Sequence, residues 1–192
     1  MKFVLASSSP RRAEILRAAG FSFDVLPPDI VEVRAPGESA TDYVLRLADE
    51  KARATAAKFS STQPSTEAII IAADTTVVAN GKLLEKPQSP AEAREMLEHL
   101  SGGWHDIHTG AVLLRLPDGA TRRFCAVTRV EFANLDSSEI SDYVASGEPF
   151  GKAGGYAIQG IGGKFVKRIE GCYFNVMGLP LSRIYEEIRH LE

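Results

Sequence analysis

Cysteine is scarce in this sequence of 192 residues, and its two copies carry no recognisable signature. Cys125 and Cys172 lie far apart and do not have the spacing of metal ligands. We therefore expect both to be small buried residues of a protein from a reducing compartment, with no part in a metal site.

Long apolar runs are also missing from the chain. No run reaches the length that spans a membrane, so a membrane partner is not expected. The N-terminal apolar run is too short for a signal peptide, because Ser7-Ser8-Ser9-Pro10 interrupts it. We expect a cytoplasmic protein.

The sequence has little excess of charge of either sign, with a formal net charge of −3. Proteins that bind nucleic acid generally are usually basic, so the charge disfavours nucleic acid as a partner.

The remaining composition is that of an ordinary globular protein, with 44% hydrophobic and 24% charged residues. The length suits a single domain over residues 1–192, with two lobes around one cleft as a variant of that arrangement. Strands of parallel and hairpin type alternate with helices along the chain. This mixture predicts an α/β fold, with one mixed, curved β-sheet flanked by helices and a cleft for a ligand.

Residues 1–16 predict a short buried strand over Phe3–Ala6, a serine-rich turn and a helix that begins at Pro10. Ser9 is a suitable N-cap, and proline fits the first helical position because its missing N–H group is not needed there.

The first turn of that helix contains Arg11 and Arg12 where acidic residues are normally preferred. Two guanidinium groups beside free N–H groups and serine hydroxyls are unfavourable unless an anion lies between them, which is how a phosphate site is built. The alternative is that both arginines are ordinary solvated charges. The strand–turn–helix context favours the phosphate site.

A long helix is predicted over Ala40–Phe59, and Lys51 falls on or beside its apolar face. The lysine either extends to the solvent at the edge or points into a cleft, and periodicity does not decide between the two. Upstream, the segment Asp29-Ile30-Val31-Glu32 brings two carboxylates near the end of a strand that we predict over Phe21–Leu26.

Asp74 directly follows the most apolar run of the chain, Ala68–Ala73, and we expect it to end a central buried strand. A carboxylate there is costly unless it is paired, hydrogen-bonded or facing a cleft. A simple turn residue is the alternative, but ligands gather at such strand ends, which favours a functional role. Asn80-Gly81 predicts a type I′ hairpin, whose return strand brings Lys86 near Asp74.

A glycine-rich segment covers residues 147–163 and matches neither of the common nucleotide-binding glycine motifs. It is either a flexible loop or a segment that a ligand can approach closely. Tyr156-Ala157-Ile158 predicts a short strand, and the amide of Gln159 could read the edge of a base.

The other elements are predicted from periodicity and turn residues. They are a mobile loop over Ser60–Glu67, a capping box at Ser89–Glu92, strands over His105–Leu116, Thr121–Phe132 and Phe165–Ile169, a helix that begins near Asp136, an extended segment over Cys172–Val176 and a helix over Leu179–His190.

The chain closely resembles the Maf family of nucleoside triphosphate pyrophosphatases over nearly its whole length. Six motifs in order carry the resemblance: Leu5-Ala6-Ser7-x-Ser9-Pro10-Arg11-Arg12, Glu50-Lys51-Ala52, Ala72-Ala73-Asp74-Thr75, Glu85-Lys86-Pro87, His108-Thr109-Gly110 and Gly154-Gly155-Tyr156-Ala157-Ile158-Gln159-Gly160.

The resemblance implies a Maf/ITPase-like fold and the hydrolysis of a nucleoside triphosphate to a monophosphate and diphosphate, as part of nucleotide-pool sanitation. It implies that Asp74 is the general base. The implied phosphate-binding residues are Ser7, Arg11, Arg12, Lys51 and Lys86. The family often forms dimers, so a homodimer is possible.

The pair Asp74-Thr75, together with Arg11 and Gln159, resembles the branch of the family that acts on dTTP and UTP. These three residues, Arg11, Thr75 and Gln159, are therefore the implied determinants of specificity. A divalent cation, Mg²⁺ or Mn²⁺, is expected at Glu32 and Asp74. The acidic loop departs from the family pattern, because Val31 stands where a second carboxylate is common.

Two other functions remain open at this point. The same pocket could belong to a non-enzymatic nucleotide sensor that regulates septum formation, since the family takes its name from such an effect. A nucleic-acid-binding module is less favoured, because the cations cluster locally and the net charge is acidic.

Overall fold

The computed structural model describes all residues from Met1 to Glu192. The strands are β1 (Lys2–Ala6), β2 (Asp24–Val25), β3 (Ala68–Ala79), β4 (Lys82–Leu84), β5 (Trp104–Leu116), β6 (Thr121–Phe132) and β7 (Val166–Glu170). The helices are α1 (Pro10–Ala18), α2 (Ala40–Thr62), α3 (Pro90–Leu100), α4 (Ser137–Ala145), α5 (Tyr173–Val176) and α6 (Leu181–Arg189). Two short 3₁₀ helices cover Ala153–Gly155 and Ile161–Phe165.

The strands form one seven-stranded sheet in the order β2-β1-β3-β5-β6-β7, with β4 paired to β3 off this path. Strand β1 is parallel to β2 and β3, whereas β4 is antiparallel to β3 and β7 is antiparallel to β6. The prediction of an α/β fold with a mixed sheet is confirmed. None of the helices is long and apolar enough to cross a membrane.

Strand β3 uses a different partner along each part of its length. Its first part pairs with β1, from Lys2↔Ala68 to Ala6↔Ala72, and its last part pairs with β4, from Val77↔Leu84 to Ala79↔Lys82. Asp74 therefore lies inside a continuous strand, and the expectation that it ends the strand is wrong. Strand β3 also pairs with β5 on its other edge, so it does not depend on β1 alone and continues past Ala72 to the hairpin with β4.

The predicted hairpin turn is present between β3 and β4. Asn80 and Gly81 have φ angles of 49° and 75°, and a type I′ turn requires positive values at both positions.

The chain divides into two compact units, and the boundary runs through β3 between Asp74 and Thr75. Unit 1 comprises Met1–Asp74, Thr109–Ala126 and Gly178–Glu192. Unit 2 comprises Thr75–His108 and Val127–Met177. A single domain over the whole chain stays a prediction.

Each unit has a hydrophobic core of its own. In unit 1 the apolar face of α2 packs against β1 and β3, through buried residues that include Val4, Ala48, Ala52, Ile70 and Val112. In unit 2 the core is more aromatic and includes Phe132, Tyr143, Tyr156 and Phe165. The alternation of buried and polar positions along α2 thus places one face of this helix on the sheet.

The helix ends differ in part from the caps that the sequence predicts. Ser9 occupies the N-cap position of α1, but its side chain makes no capping hydrogen bond. Its backbone N–H group donates to the hydroxyl of Ser7. Ser89 accepts from the N–H group of Glu92 as expected, but the Glu92 carboxylate accepts from Gln88, so only half of the capping box forms. A full capping box is formed by Asp136 and Glu139 at α4.

Several predicted segments have other bounds or conformations. The strand predicted over Phe21–Leu26 is reduced to β2, and α2 extends into the predicted mobile segment as far as Thr62. Tyr156-Ala157-Ile158 is not a strand but connects the two 3₁₀ helices, and α5 replaces an extended segment. Both cysteines are free and only partly buried, so the expectation that they are buried residues is wrong.

Gly110 of β5 allows α2 to approach the sheet closely. A Cβ atom at Gly110 would lie 2.4 Å from the carbonyl carbon and oxygen of Val44 and 2.6 Å from the nitrogen of Leu45. These are backbone atoms of α2 that cannot rotate away, so a side chain does not fit. Because Lys51 lies on the same helix, this contact also sets the position of Lys51.

Replacing Gly110 by Ala is expected to lower the free energy of unfolding by about 3 kcal/mol, at the upper end of the cost of overpacking. The measurement is urea denaturation followed by circular dichroism. Gly103→Ala is the matched control, because the nearest atom to its Cβ would be 3.7 Å away. Equal stability of the two variants would show that α2 does not depend on this contact.

Candidate active site

The turn between β1 and α1 is organised by the hydroxyl group of Ser7. This buried oxygen accepts a hydrogen bond from the N–H group of Ser9 and another from Nη1 of Arg12, each at 3.1 Å. Two hydrogen bonds between residues of the turn and of the first turn of α1 therefore fix the conformation of this segment.

Arg12 is buried, with 8% of its surface exposed, and its Nε donates to the carbonyl oxygen of Gly178 at 2.8 Å. Desolvation by burial lowers the pKa of Arg12, and the charge of Asp74 opposes this effect. The guanidinium thus connects the turn to the segment before α6 and adds a positive charge close to the carboxylate of Asp74.

Arg11, beside it in the first turn of α1, is only half-buried. Burial lowers the pKa of Arg11, and the charge of Glu14 acts in the opposite direction. A desolvated guanidinium at a helix N-terminus favours the binding of an anion, since the anion would offset the lost hydration and meet the positive end of the helix.

Lys51 lies between two carboxylates. Its Nζ is 2.5 Å from Oδ1 of Asp74 and 2.6 Å from Oε1 of Glu32. The Lys51 and Asp74 side chains are only 7% and 10% exposed, whereas Glu32 is 35% exposed. Lys51 therefore does not extend to the solvent at the edge of α2, and the alternative in which it points inward is the one observed.

The register of β1 and β3 explains why this cluster lies beside the serine turn. The last registered pair of the two parallel strands is Ala6↔Ala72. Ser7 directly follows that pair on one strand, and Asp74 lies two residues after it on the other. Lys51 reaches the same end of the strands because its position on the apolar face of α2 points to the sheet.

The donors for a metal ion at this place are few. There is no group of three or more His, Cys, Asp or Glu side chains that could hold a metal ion. Glu32 and Asp74 are nevertheless hard oxygen donors, and Mg²⁺ is commonly held by one or two carboxylates together with substrate phosphates. The two carboxylates thus fit a divalent cation that arrives with a nucleotide. In the structure, one oxygen of each carboxylate bonds to Lys51.

The other predicted site residues belong to unit 2. Thr75 is half-buried at the start of the unit, Lys86 is exposed just after β4, and Gln159 is exposed in the glycine-rich segment. The carbonyl oxygen of Glu85, next to Lys86, accepts from the N–H group of Gly154 at 3.2 Å. The two motifs of unit 2 that contain Lys86 and Gln159 are therefore joined by a backbone hydrogen bond.

Two polar side chains of unit 2 were not among the predicted site residues. Tyr143 and Glu148 bond to the backbone on either side of Gln159. The sequence contained one weak signal for them, a carboxylate in Gly147-Glu148-Pro149 at the start of the glycine-rich segment. Gly178 was missed as well, because its contribution is a carbonyl oxygen, which no residue type reveals.

Comparison with known proteins gives consistent matches along the chain. The family model described as "Maf-like protein" matches residues 2–191. The dTTP/UTP pyrophosphatase of Carboxydothermus hydrogenoformans is 46% identical over 189 residues, which cover 98% of this chain and 98% of that protein. The dTTP/UTP pyrophosphatase of Salmonella typhimurium is 48% identical over 187 residues, which cover 97% and 91%.

Among solved structures, a nucleoside-triphosphatase / dITP/XTP pyrophosphatase from Mycobacterium abscessus matches with a TM-score of 0.40 and 15% identity, covering 100% of this chain and 98% of that one. This likeness is too distant to bear on the site.

Replacing Lys51 by Met is expected to destabilise the protein by about 3 kcal/mol, because it leaves the buried carboxylate of Asp74 without its cation. Urea denaturation at pH 7 measures the change. The matched control is Lys58→Met on the exposed face of α2, which should stay within about 0.5 kcal/mol of the unmodified protein. A Lys51 variant as stable as the control would show that Asp74 does not need this partner.

Proposed function

The chain belongs to the Maf family, and we propose that it hydrolyses dTTP and UTP to the monophosphate and diphosphate. The observation that carries the proposal is the cluster of Asp74, Lys51 and Glu32 beside the turn of Ser7 and Arg11. Cations alone would suffice to bind a polyanion. Carboxylates among them are what a hydrolytic step needs, to take a proton from water or to hold a cation.

The names of the relatives support the choice of substrate. Proteins that are 43% to 48% identical over nearly the whole chain are named dTTP/UTP pyrophosphatase. The enzyme is accordingly a hydrolase that acts on the phosphoanhydride bond of a nucleoside triphosphate.

In the proposed reaction, water attacks the α-phosphorus and the bond between that phosphorus and the bridging oxygen of the β-phosphate breaks. Asp74 accepts the proton of the attacking water, and diphosphate leaves with the bridging oxygen. Ser7, Arg11, Arg12, Lys51 and Lys86 bind the phosphates and stabilise the negative charge that moves onto the leaving group. Most of the acceleration then comes from positioning and electrostatics.

Arg11 and Arg12 divide this work in the proposal. Arg12 keeps its bonds to Gly178 and Ser7 and attracts the phosphates through its charge, whereas Arg11 contacts the phosphates directly. Lys51 can exchange a carboxylate oxygen for a phosphate oxygen when the nucleotide binds, since both are anionic acceptors for its ammonium group.

We propose Mg²⁺ or Mn²⁺ as the cofactor, held by Glu32 and Asp74 together with substrate phosphates. When bound, such a cation would polarise phosphate oxygens and neutralise part of their charge. Asp74 could serve as both ligand and base once Lys51 has exchanged its bond to Oδ1 for a phosphate oxygen, because both carboxylate oxygens then take part.

Base selection is assigned to Arg11, Thr75 and Gln159. The primary amide of Gln159 can donate to O4 of uracil or thymine and accept from N3–H, which gives a bidentate contact with the edge of the base. Pyrimidines with this edge would then be preferred over cytosine when the amide is held in the matching orientation.

A non-enzymatic nucleotide sensor involved in septum formation is the alternative function. It is disfavoured because Asp74 and Glu32 would weaken the binding of a polyanion and serve no chemical step. We further propose that the protein acts in the cytoplasm on the nucleotide pool, as a monomer or homodimer, without nucleic acid or a membrane as partner.

The function is tested by an assay of diphosphate release from dTTP, UTP, CTP, ATP, GTP and 7-methyl-GTP, with and without Mg²⁺ or Mn²⁺. We expect metal-dependent release from dTTP and UTP, with the monophosphate as the second product. A preference for 7-methyl-GTP would contradict the assignment of Thr75 and Gln159. Tight binding without turnover would favour the sensor.

Asp74→Asn is expected to lower kcat by roughly 100-fold or more, with a smaller change in KM, because it removes the proton acceptor and keeps the shape. Steady-state kinetics with dTTP measures both constants. Asp24→Asn, which makes the same change at an exposed position of β2, is the control and should have no effect. A fully active Asp74 variant would remove this residue from the mechanism.

A further inference from the structure

The segment that carries Gln159 is held at both of its ends by hydrogen bonds to side chains. We call residues 157–162 the Gln159 loop. At its start, the N–H group of Ala157 donates to the hydroxyl of Tyr143 at 3.2 Å. At its end, the N–H groups of Ile161 and Gly162 donate to the two carboxylate oxygens of Glu148, each at 2.9 Å.

The two side chains that hold the loop are bonded to each other. The hydroxyl of Tyr143 donates to Oε1 of Glu148 at 2.8 Å. Tyr143 is 1% exposed, and its ring packs edge-to-face on Phe165 with 5.1 Å between the centroids. The loop is thus attached, directly and through Glu148, to Tyr143, whose ring cannot move without disturbing the core of unit 2.

The protonation states of Tyr143 and Glu148 are those that these hydrogen bonds require. Burial and the nearby Glu148 carboxylate raise the pKa of Tyr143, so its hydroxyl remains a donor. Burial alone would raise the pKa of Glu148, but the N–H groups of Gly162 and Ile161, the hydroxyl of Tyr143 and the charge of Lys152 together lower it. An ionised carboxylate therefore accepts three hydrogen bonds here, which is stronger than neutral pairing.

Glycine residues make the close approach of these side chains possible. A Cβ atom at Gly160, the residue after Gln159, would lie 2.2 Å from Oε2 of Glu148. A Cβ atom at Gly162 would lie 2.7 Å from the hydroxyl of Tyr143. The glycine-rich sequence thus serves the contact with Glu148 and Tyr143, and the loop has a defined backbone.

We propose that Glu148, together with Tyr143, is a positioning residue that sets the base selectivity of the enzyme through Gln159. The inference rests on the proposed function, in which Gln159 reads the base. A glutamine amide can present either its N–H or its C=O group to a base edge, so it distinguishes uracil from cytosine only when its position is fixed. Fixed backbone on both sides of Gln159 fixes the point from which the side chain starts, which limits the positions that its amide can take.

The test compares kcat/KM for UTP with kcat/KM for CTP. Glu148→Gln keeps the size of the side chain but replaces an acceptor oxygen by an N–H donor that faces an N–H group of the loop. The ratio of UTP to CTP is expected to fall by about 10-fold, the effect of one mispaired buried hydrogen bond. Most of the change should appear in KM for UTP.

A double-mutant cycle separates positioning from a general structural role. In a Gln159→Ala background the selectivity carried by the amide is already lost, so adding Glu148→Gln should lower the ratio no further. Glu95→Gln, the same change at an exposed position of α3, is the control and should leave the ratio unchanged. An unchanged ratio in Glu148→Gln, or equal effects of this change in both backgrounds, would overturn the inference.

A second variant and a second readout cover the remaining cases. If Glu148→Gln does not fold, Tyr143→Phe serves as the second variant. It removes only the hydroxyl and should also lower the ratio of UTP to CTP, and an unchanged ratio there overturns the inference.

If the unmodified protein releases no diphosphate, the proposed enzymatic function fails by itself. The same comparison then uses the dissociation constants of UTP and CTP from calorimetry, and equal ratios in all variants overturn the inference.

Discussion

The ammonium group of Lys51 between Asp74 and Glu32 is the contact on which the proposed active site depends. Asp74 lies in the interior of a strand and is almost fully buried, where an unpaired carboxylate would be very unfavourable. Lys51 compensates that charge at 2.5 Å, and it can do so because Gly110 lets α2 lie close to the sheet. The packing of a helix on a strand thus determines the electrostatics of the site.

The arrangement also explains how an anionic substrate can bind next to two carboxylates. The charges of Lys51 and Arg12 act on Asp74, and Arg11 adds a third cation at the N-terminus of α1. These three cations outnumber the two carboxylates, Asp74 and Glu32. The phosphates of a nucleoside triphosphate would neutralise this excess of positive charge. Both arginines are partly or fully desolvated without a ligand, which favours the binding of an anion.

Local features of the chain were predictable from its sequence, and features that depend on distant partners were not. The strand, turn and helix at Ser7–Pro10 and the turn at Asn80-Gly81 follow from residues that are adjacent in sequence. The continuation of β3 past Asp74 depends on partners that are distant in sequence, β5 on one edge and β4 beyond the end of β1 on the other. The predicted strand at Tyr156-Ala157-Ile158 failed for the same reason, because Tyr143 takes the N–H group of Ala157. The predicted site residues were chosen by residue type, but the partners that the structure gives them, Gly178 above all, required the fold.

The charges and the neutral polar groups of the proposed site serve different parts of a nucleotide. Every nucleoside triphosphate has the same phosphates, so phosphate-binding cations such as Arg12 and Lys51 alone would accept all of them with similar affinity. Discrimination must then come from groups such as Gln159, whose contribution depends on position and little on charge. A loop that reads a base therefore needs a firmer attachment than a cation that meets a phosphate, since a Coulomb attraction weakens slowly with distance and a hydrogen bond fails within less than about 1 Å. The bonds of Tyr143 and Glu148 to the backbone on both sides of Gln159 meet that stricter requirement.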